Sequence, residues 1–265
     1  MDVVNAVAGA MREVGPQDYT FHGEAIRGQV LEYGIGLPIH GASVTVRWQV
    51  GTTYGAVEGR QHGLAYIHMA EAVTDADGRF ALPAWGPVRY SIPDDDYRMF
   101  FTGDWLGGKG VSGPSGKLKF LKEACILLYL PGYDPAEYCN PASDRQVLSG
   151  MQASIWSNRD LRLRKTPDNY KSQRSAMIWA TALVTELAIH SAAIVDGKPF
   201  CGWRRMPNLI RYALQEERRI YAVQPKSPSI RYLAEDLGAG GEGDKKRVCG
   251  PIEPFLKSLT GVPAK

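Results

Sequence analysis

A mainly β fold, a β-sandwich carrying a C-terminal helical part, is the fold class this chain predicts, and three observations predict it. Short alternations of apolar and polar residues crowd positions 23–133; glycine, proline and aspartate punctuate them; and beyond position 166 the apolar spacing lengthens from the period of a strand to that of a helix.

The strands follow in order. Ile26, Gly28 and Val30 share one face while Arg27 and Gln29 take the other, and positions 34–41 form a connection rich in Gly and Pro. Val44, Val46, Trp48 and Val50 are then apolar at every second position, with Ser43, Thr45, Arg47 and Gln49 on the face expected to be wet. After residues 71–74 comes Asp75-Ala76-Asp77-Gly78, in which aspartates cap backbone amides and Gly78 takes positive φ, so that the segment reads as a hairpin leading into Phe80 and Leu82. The uninterrupted apolar run 125–130 suits a central strand buried on both sides, ended by Pro131-Gly132. Leu161 and Leu163 alternate with Arg162 and Arg164 as a closing strand.

Several of these segments together resemble the carboxypeptidase regulatory-like domains: Ile26 to Val30, Pro38-Ile39-His40-Gly41-Ala42-Ser43-Val44, Thr74-Asp75-Ala76-Asp77-Gly78-Arg79-Phe80 and Leu130-Pro131-Gly132-Tyr133. The resemblance covers residues 23–165 and implies a transthyretin-like sandwich of about seven strands. Its motifs are structural and bring no catalytic residue with them. Cys201-Gly202-Trp203 with Met206-Pro207 resembles the tails of bacterial envelope proteins, often lipoproteins, that join such a sandwich to helices. Two relatives with defined activities fit less well. The terminal Tyr-Arg-Gly-Ser of transthyretin-type hydroxyisourate hydrolases is replaced by Val262-Pro263-Ala264-Lys265, and the first strand lacks the lysine of self-crosslinking adhesin modules.

Beyond Thr166, Asp168 or Asn169 is placed to cap a helix running to about Val195, with Ile178, Ala182, Leu183, Glu186, Leu187, Ile189 and Ile194 along its covered stripe. Pro207 suits the first turn of a second helix, apolar at Leu209, Ile210, Ala213 and Leu214 and polar at Glu216, Glu217, Arg218 and Arg219, in a hairpin with the first. Ser229 is placed to cap a third, short helix through Leu237, and the glycine-rich positions 238–244 predict a loosely attached end. The expected organisation is an N-terminal segment 1–22, a β part 23–166, a helical part 167–237 and a tail 238–265.

With 44% hydrophobic residues and a formal net charge of +3, the composition is that of a globular chain. The charge is too small to imply nucleic acid, and the basic stretch from Arg159 to Arg174 lacks the interleaved aromatics of a base-stacking surface. No apolar run approaches the roughly 18 residues needed to span a bilayer, although peripheral association with a membrane stays compatible. Residues 1–11 hold a short apolar run with no basic residue before it, a weak match to an export signal. Four cysteines permit disulfides in an oxidising compartment, with three connectivities open. Cys125, in the most apolar strand, reads as a buried thiol; Cys139 and Cys201 are the disulfide candidates that would tie the helical part to the strands.

No catalytic constellation or cofactor-binding motif emerges: there is no nucleophile elbow, and Gly110 to Lys117 lacks phosphate-loop spacing. The metal candidates are His62 and His68, with His40, Glu71 and Asp75 nearby, in a spacing that matches no metal motif. Asp94-Asp95-Asp96 lacks the glycine and distal glutamate of a calcium loop. Trp85, Tyr97, Phe101 and Trp105 are the candidate binding residues, as aromatic anchors in a long loop or as covers for the end of the core. The expected function is a non-enzymatic structural or protein-binding module of a bacterial periplasm or cell envelope, with a protein partner or a larger assembly. The alternative is a metal-dependent or hydrolytic enzyme using the loop histidines and carboxylates.

Overall fold

The computed structural model describes residues 18–53, 61–91, 119–139, 150–152, 154–189, 192–195, 198–223, 249–250 and 252–260. They form a mixed β plus α protein. Strands β1 (Asp18–Gly23), β2 (Ile26–Glu32), β3 (Ser43–Thr53), β4 (Gln61–Val73), β5 (Arg79–Leu82), β6 (Trp85–Ser91), β7 (Lys119–Tyr129), β8 (Ala136–Tyr138), β9 (Gly150–Gln152) and β10 (Arg159–Leu163) come first. Helix α1 (Tyr170–Ile189), strands β11 (Ala192–Val195) and β12 (Lys198–Cys201), a 3-10 turn (Gly202–Arg205), helix α2 (Pro207–Val223) and helix α3 (Glu253–Thr260) complete them.

The strands make three sheets, ordered β10-β2-β5, β4-β3-β7-β8 and β12-β11-β6-β1-β9. Ile26 and Val30 of β2, Phe80 and Leu82 of β5 and Leu161 and Leu163 of β10 point into one core, where they join Val44, Val46 and Trp48 of β3 and Ile126 and Leu128 of β7. The alternation read from β2 and β5 is thus the inward face. β7 is an interior strand, flanked by β3 and β8, and residues 124–129 are buried throughout.

The turn at 75–78 behaves as its residues dictate. Asp75 Oδ1 accepts the backbone N–H groups of Asp77 (3.0 Å) and Arg79 (2.8 Å). Gly78 has φ +71, and a Cβ there would lie 2.6 Å from Val30 O. The turn does not close a hairpin, however. β4 pairs with β3 while β5 pairs with β2, so the turn carries the chain from one sheet to another.

The larger correction concerns the outer face of β3. Ser43, Thr45 and Arg47 are buried, although alternation assigned them to solvent. They share their face with Glu71 and Met69 of β4 and with Leu127 and Tyr129 of β7, which lie across from them in register. The helices cover this face, and one carboxylate anchors the start of α2 on it. Glu71 Oε1 accepts the Ser43 hydroxyl (2.8 Å) and the Leu209 N–H (2.6 Å), while Oε2 accepts the backbone N–H (2.8 Å) and side-chain amide (2.9 Å) of Asn208. Asn208 and Leu209 occupy the first turn of α2, whose unpaired N–H groups and positive dipole end favour an anion. Beside it, the Arg47 guanidinium pairs with Glu137 of β8, lies 3.8 Å from Glu186 of α1, and sits 5.6 Å from the centre of the Tyr66 ring.

The helical part also departs from expectation. Asn169 does cap α1, its Oδ1 accepting the Ser172 N–H at 2.9 Å. The helix stops at Ile189, and residues 192–195 and 198–201 are strands of the five-stranded sheet, so the segment 167–237 is not helical throughout. The covered stripe of α1 is Ala176, Met177, Ala180, Leu183, Val184 and Leu187; Ile178 and Ala182, assigned to it from spacing, face out. On α2 the four expected apolar residues are buried, but so are Glu216 and Glu217; Glu216 forms two bonds with the Arg219 guanidinium, at 2.6 and 3.0 Å. Phe21, from the expected N-terminal segment, is a core residue of β1.

Both cysteine expectations are overturned. Cys125 is no free thiol but pairs with Cys139, and Cys201 pairs with Cys249 rather than with Cys139. The first bond joins neighbouring strands β7 and β8; the second fastens the end of the chain beside α2. Ile252 and Leu256 of the expected loose tail are buried, Phe255 stacks edge-on to Trp203 at 4.9 Å, and Arg204 donates to Cys249 O at 2.9 Å. The tail is attached because a covalent bond and an apolar helix face hold it. The expected third helix from Ser229 lies outside the described residues.

Glu71→Gln is expected to lower stability by about 2 kcal/mol in urea unfolding, because an amide NH₂ faces donors that a carboxylate satisfied. Opening the Cys201–Cys249 bond, whose ends are separated by 48 positions in sequence, is expected to cost about 4 kcal/mol on chain-entropy grounds, against about 3 for Cys125–Cys139, separated by 14. Single Cys→Ser pairs measured under identical conditions check that order.

Candidate functional site

Two of the sequence-predicted residues meet. β4 pairs with β3 so that His68 lies opposite Trp48, and the start of β6 brings Trp85 over both. The His68 and Trp85 rings are stacked, 4.4 Å between centroids and 9° between planes; Trp48 meets Trp85 edge-on at 5.0 Å and His68 at 5.3 Å. The close approach of Trp85 to β1 needs a glycine. A Cβ on Gly23 would lie 2.1 Å from Trp85 Nε1.

Burial disfavours the imidazolium, and the Arg205 charge adds to that, so the His68 pKa falls from 6.5 to about 4. His68 is therefore neutral at physiological pH. Trp48 Nε1 and Trp85 Nε1 find no acceptor among the described residues. Beside the cluster opens a shallow cleft of about 590 Å³, walled by Trp85 and Pro87 on one side and by His22, Gly23 and Glu24 on the other. Its lining is mostly apolar, which suits an aromatic or aliphatic group rather than an ion.

The other expected site residues are scattered. His62 lies on β4 opposite Thr52, and its side chain is outside the described residues. His40 is exposed in the turn before β3; Glu71 and Asp75 bind backbone N–H groups as described above. Tyr97, Phe101, Trp105 and Asp94-Asp95-Asp96 also lie outside the described residues. Among the described residues one cluster has metal-ligand composition, Cys125, Glu137 and Cys139, but its two sulfurs are bonded to each other and its carboxylate to Arg47. A second groove, of about 750 Å³, crosses the outer face of β2, β5 and β10 and mixes Arg27, Arg79 and Arg159 with Asp75 and Asp160.

Sequence reasoning missed the Trp48 contribution, having assigned that residue to the core alone. The signal was present in the spacing of β3 and β4, but it required the register that sets Trp48 across from His68.

No family model and no curated protein matches this chain. Among solved structures, 3-chlorocatechol 1,2-dioxygenase from Rhodococcus opacus 1CP is 15% identical over 58% of this chain and 62% of its own, with a TM-score of 0.28. Acinetobacter radioresistens catechol 1,2-dioxygenase is 14% identical over 56% of this chain and 53% of its own, TM-score 0.31. A 9R-lipoxygenase from Cyanothece PCC8801 is 14% identical over 89% of this chain and 30% of its own, TM-score 0.22. The chain thus spans less than two thirds of each of these proteins, and likenesses this distant decide neither fold nor chemistry.

The His68 imidazole is expected to titrate by NMR with a midpoint near 4. Its folded pKa lies below its unfolded one, so the unfolded chain binds the proton first. The stability this contributes is complete above pH 6.5, falls as pH drops toward 4, and amounts to at most about 3 kcal/mol. Gly23→Ala should displace Trp85, destabilise by about 1–3 kcal/mol and shift the tryptophan emission to the red.

Proposed function

We propose that this protein is a non-enzymatic binding module of an oxidising, extracytoplasmic compartment, of bacterial envelope type. Its frame is a transthyretin-like β-sandwich in which the β10-β2-β5 and β4-β3-β7-β8 sheets enclose the core, with the helices sealing the outer face of the second. The observation that carries this reading is the employment of the chemistry-bearing side chains in the frame itself. Glu71 holds a helix terminus, His68 is stacked and neutral, Arg47 is paired, and the four cysteines are consumed in two disulfides of the kind that persist outside reducing compartments. Open beside the aromatic cluster is a concave apolar wall of Trp85 and Pro87. Such a surface takes up an aromatic or aliphatic anchor of a protein partner. Among the described residues no helix is long and apolar enough to cross a membrane.

A photo-crosslinking residue placed at Ala84, in the cleft, and a control at Ala182, exposed on α1, test the reading in the envelope fraction of the native source. One discrete protein adduct from position 84 that is absent from position 182 supports it. Stoichiometric metal in the purified chain, or ester hydrolysis abolished by His68→Gln, would replace it with an enzyme.

A further inference from the structure

We infer that the turn between β2 and β3 is a membrane-docking tip, one that lodges Tyr33, Ile35 and Leu37 among the headgroups of an anionic phospholipid surface. These three side chains are 57%, 63% and 61% exposed, and they alternate over five residues just past the end of β2. Nothing about the turn suggests a segment awaiting collapse onto the core. Glu32 N–H donates to Leu37 O (2.8 Å), Gly36 N–H to Glu32 O (2.9 Å) and Tyr33 N–H to Leu163 O (2.8 Å), so the loop is closed on itself and tied to β10. Its shape is convex: Gly34 and Gly36 take φ +92 and +74, and a Cβ on either would meet no atom within 4 Å. A rigid apolar projection without a groove of its own fits a deformable medium, in which each side chain finds apolar surroundings without a matching pocket.

The charges beside the tip complement anionic headgroups. The Arg164 guanidinium lies 4.8 Å over the Tyr33 ring, and Arg162 and Lys165 flank it in sequence, all three exposed. Of the carboxylates close by, Glu32 and Asp134 accept hydrogen bonds from the hydroxyls of Tyr133 and Thr166, and Asp75 and Asp77 stand in the turn that packs against Pro38 and Ile39, just past the tip. Apolar side chains backed by arginine and lysine are the pattern of interfacial binding, in which the cations add attraction to lipid phosphates. The tip is also independent of the Trp85 cleft. The cleft includes Gly23, Glu24 and Ala25 just before β2 and the tip follows its last residue, so the length of that strand, about 20 Å, separates them.

The test is co-sedimentation of the full chain with vesicles of phosphatidylcholine alone and with vesicles that also contain phosphatidylglycerol, for the parent chain, the double variant Ile35→Ser/Leu37→Ser, and Arg164→Gln. The replaced side chains are exposed, and an unchanged melting curve verifies the fold of each variant. The parent should sediment with the anionic vesicles, the double variant should bind roughly tenfold or more weakly, and Arg164→Gln should lose part of the binding and of its salt dependence. Three results would overturn the inference: a folded parent that stays in the supernatant, equal binding by parent and double variant, or self-association of the parent that the double variant removes. The last would assign the tip to a contact between copies of this chain. Each is independent of the crosslinking outcome at position 84.

Discussion

The Glu71 carboxylate fastens the start of α2 to the four-stranded sheet. Glu71 Oε2 takes the Asn208 N–H at the start of α2, and Oε1 takes both the Leu209 N–H and the Ser43 hydroxyl of the neighbouring strand, so the outer face of the four-stranded sheet becomes an interior. The consequences spread along that face. Ser43 and Thr45 lose water and bond within the sheet and to Glu71, and Arg47, buried to 5% exposure, is supported by Glu137, Glu186 and the Tyr66 ring. A buried guanidinium is tolerable only in such company. The helices in turn need the sheet, because the apolar residues of α1 and α2 have to be covered.

The two disulfides act on different scales. Cys125–Cys139 reinforces a strand pair that β7 and β8 already form, whereas Cys201–Cys249 recruits a distant stretch of chain. Once Cys249 is fastened beside the 3-10 turn, Phe255 reaches Trp203, and Ile252 and Leu256 add a final apolar layer over α2. The strands β11 and β12 knit the same region to the five-stranded sheet through Val195 and Tyr90. Sheets and helices therefore share one core rather than standing as separate parts.

Within that frame the aromatic cluster and the exposed turn lie at opposite ends of β2, and their chemistry differs. At one end Trp48, His68 and Trp85 lie close together, and burial keeps the histidine neutral. At the other, apolar side chains stand in water beside arginine and lysine. An inward-packed aromatic group supports a concave wall, while the outward apolar tip stays exposed among the described residues, with only the Arg164 guanidinium over its Tyr33 ring.

Only local features were legible in the order of the residues. The inward faces of β2 and β5, the aspartate cap and positive-φ glycine of the turn at 75–78, the Asn169 cap and the Pro207 start of α2 follow from residue-by-residue preferences that act over a few positions. The helix end at Ile189, the inward turn of Glu216 and Glu217, the cysteine partners and the burial of Ser43, Thr45 and Arg47 were decided by tertiary structure. Those depend on which distant surface arrives to cover a face, and period-two spacing carries no record of a helix more than 100 residues away. The candidate site divides the same way. His68 and Trp85 were legible as chemistry-bearing residues, but their stacking required β4 in register with β3 and β6 folded over both, and a contact between distant strands is a property of the assembled core.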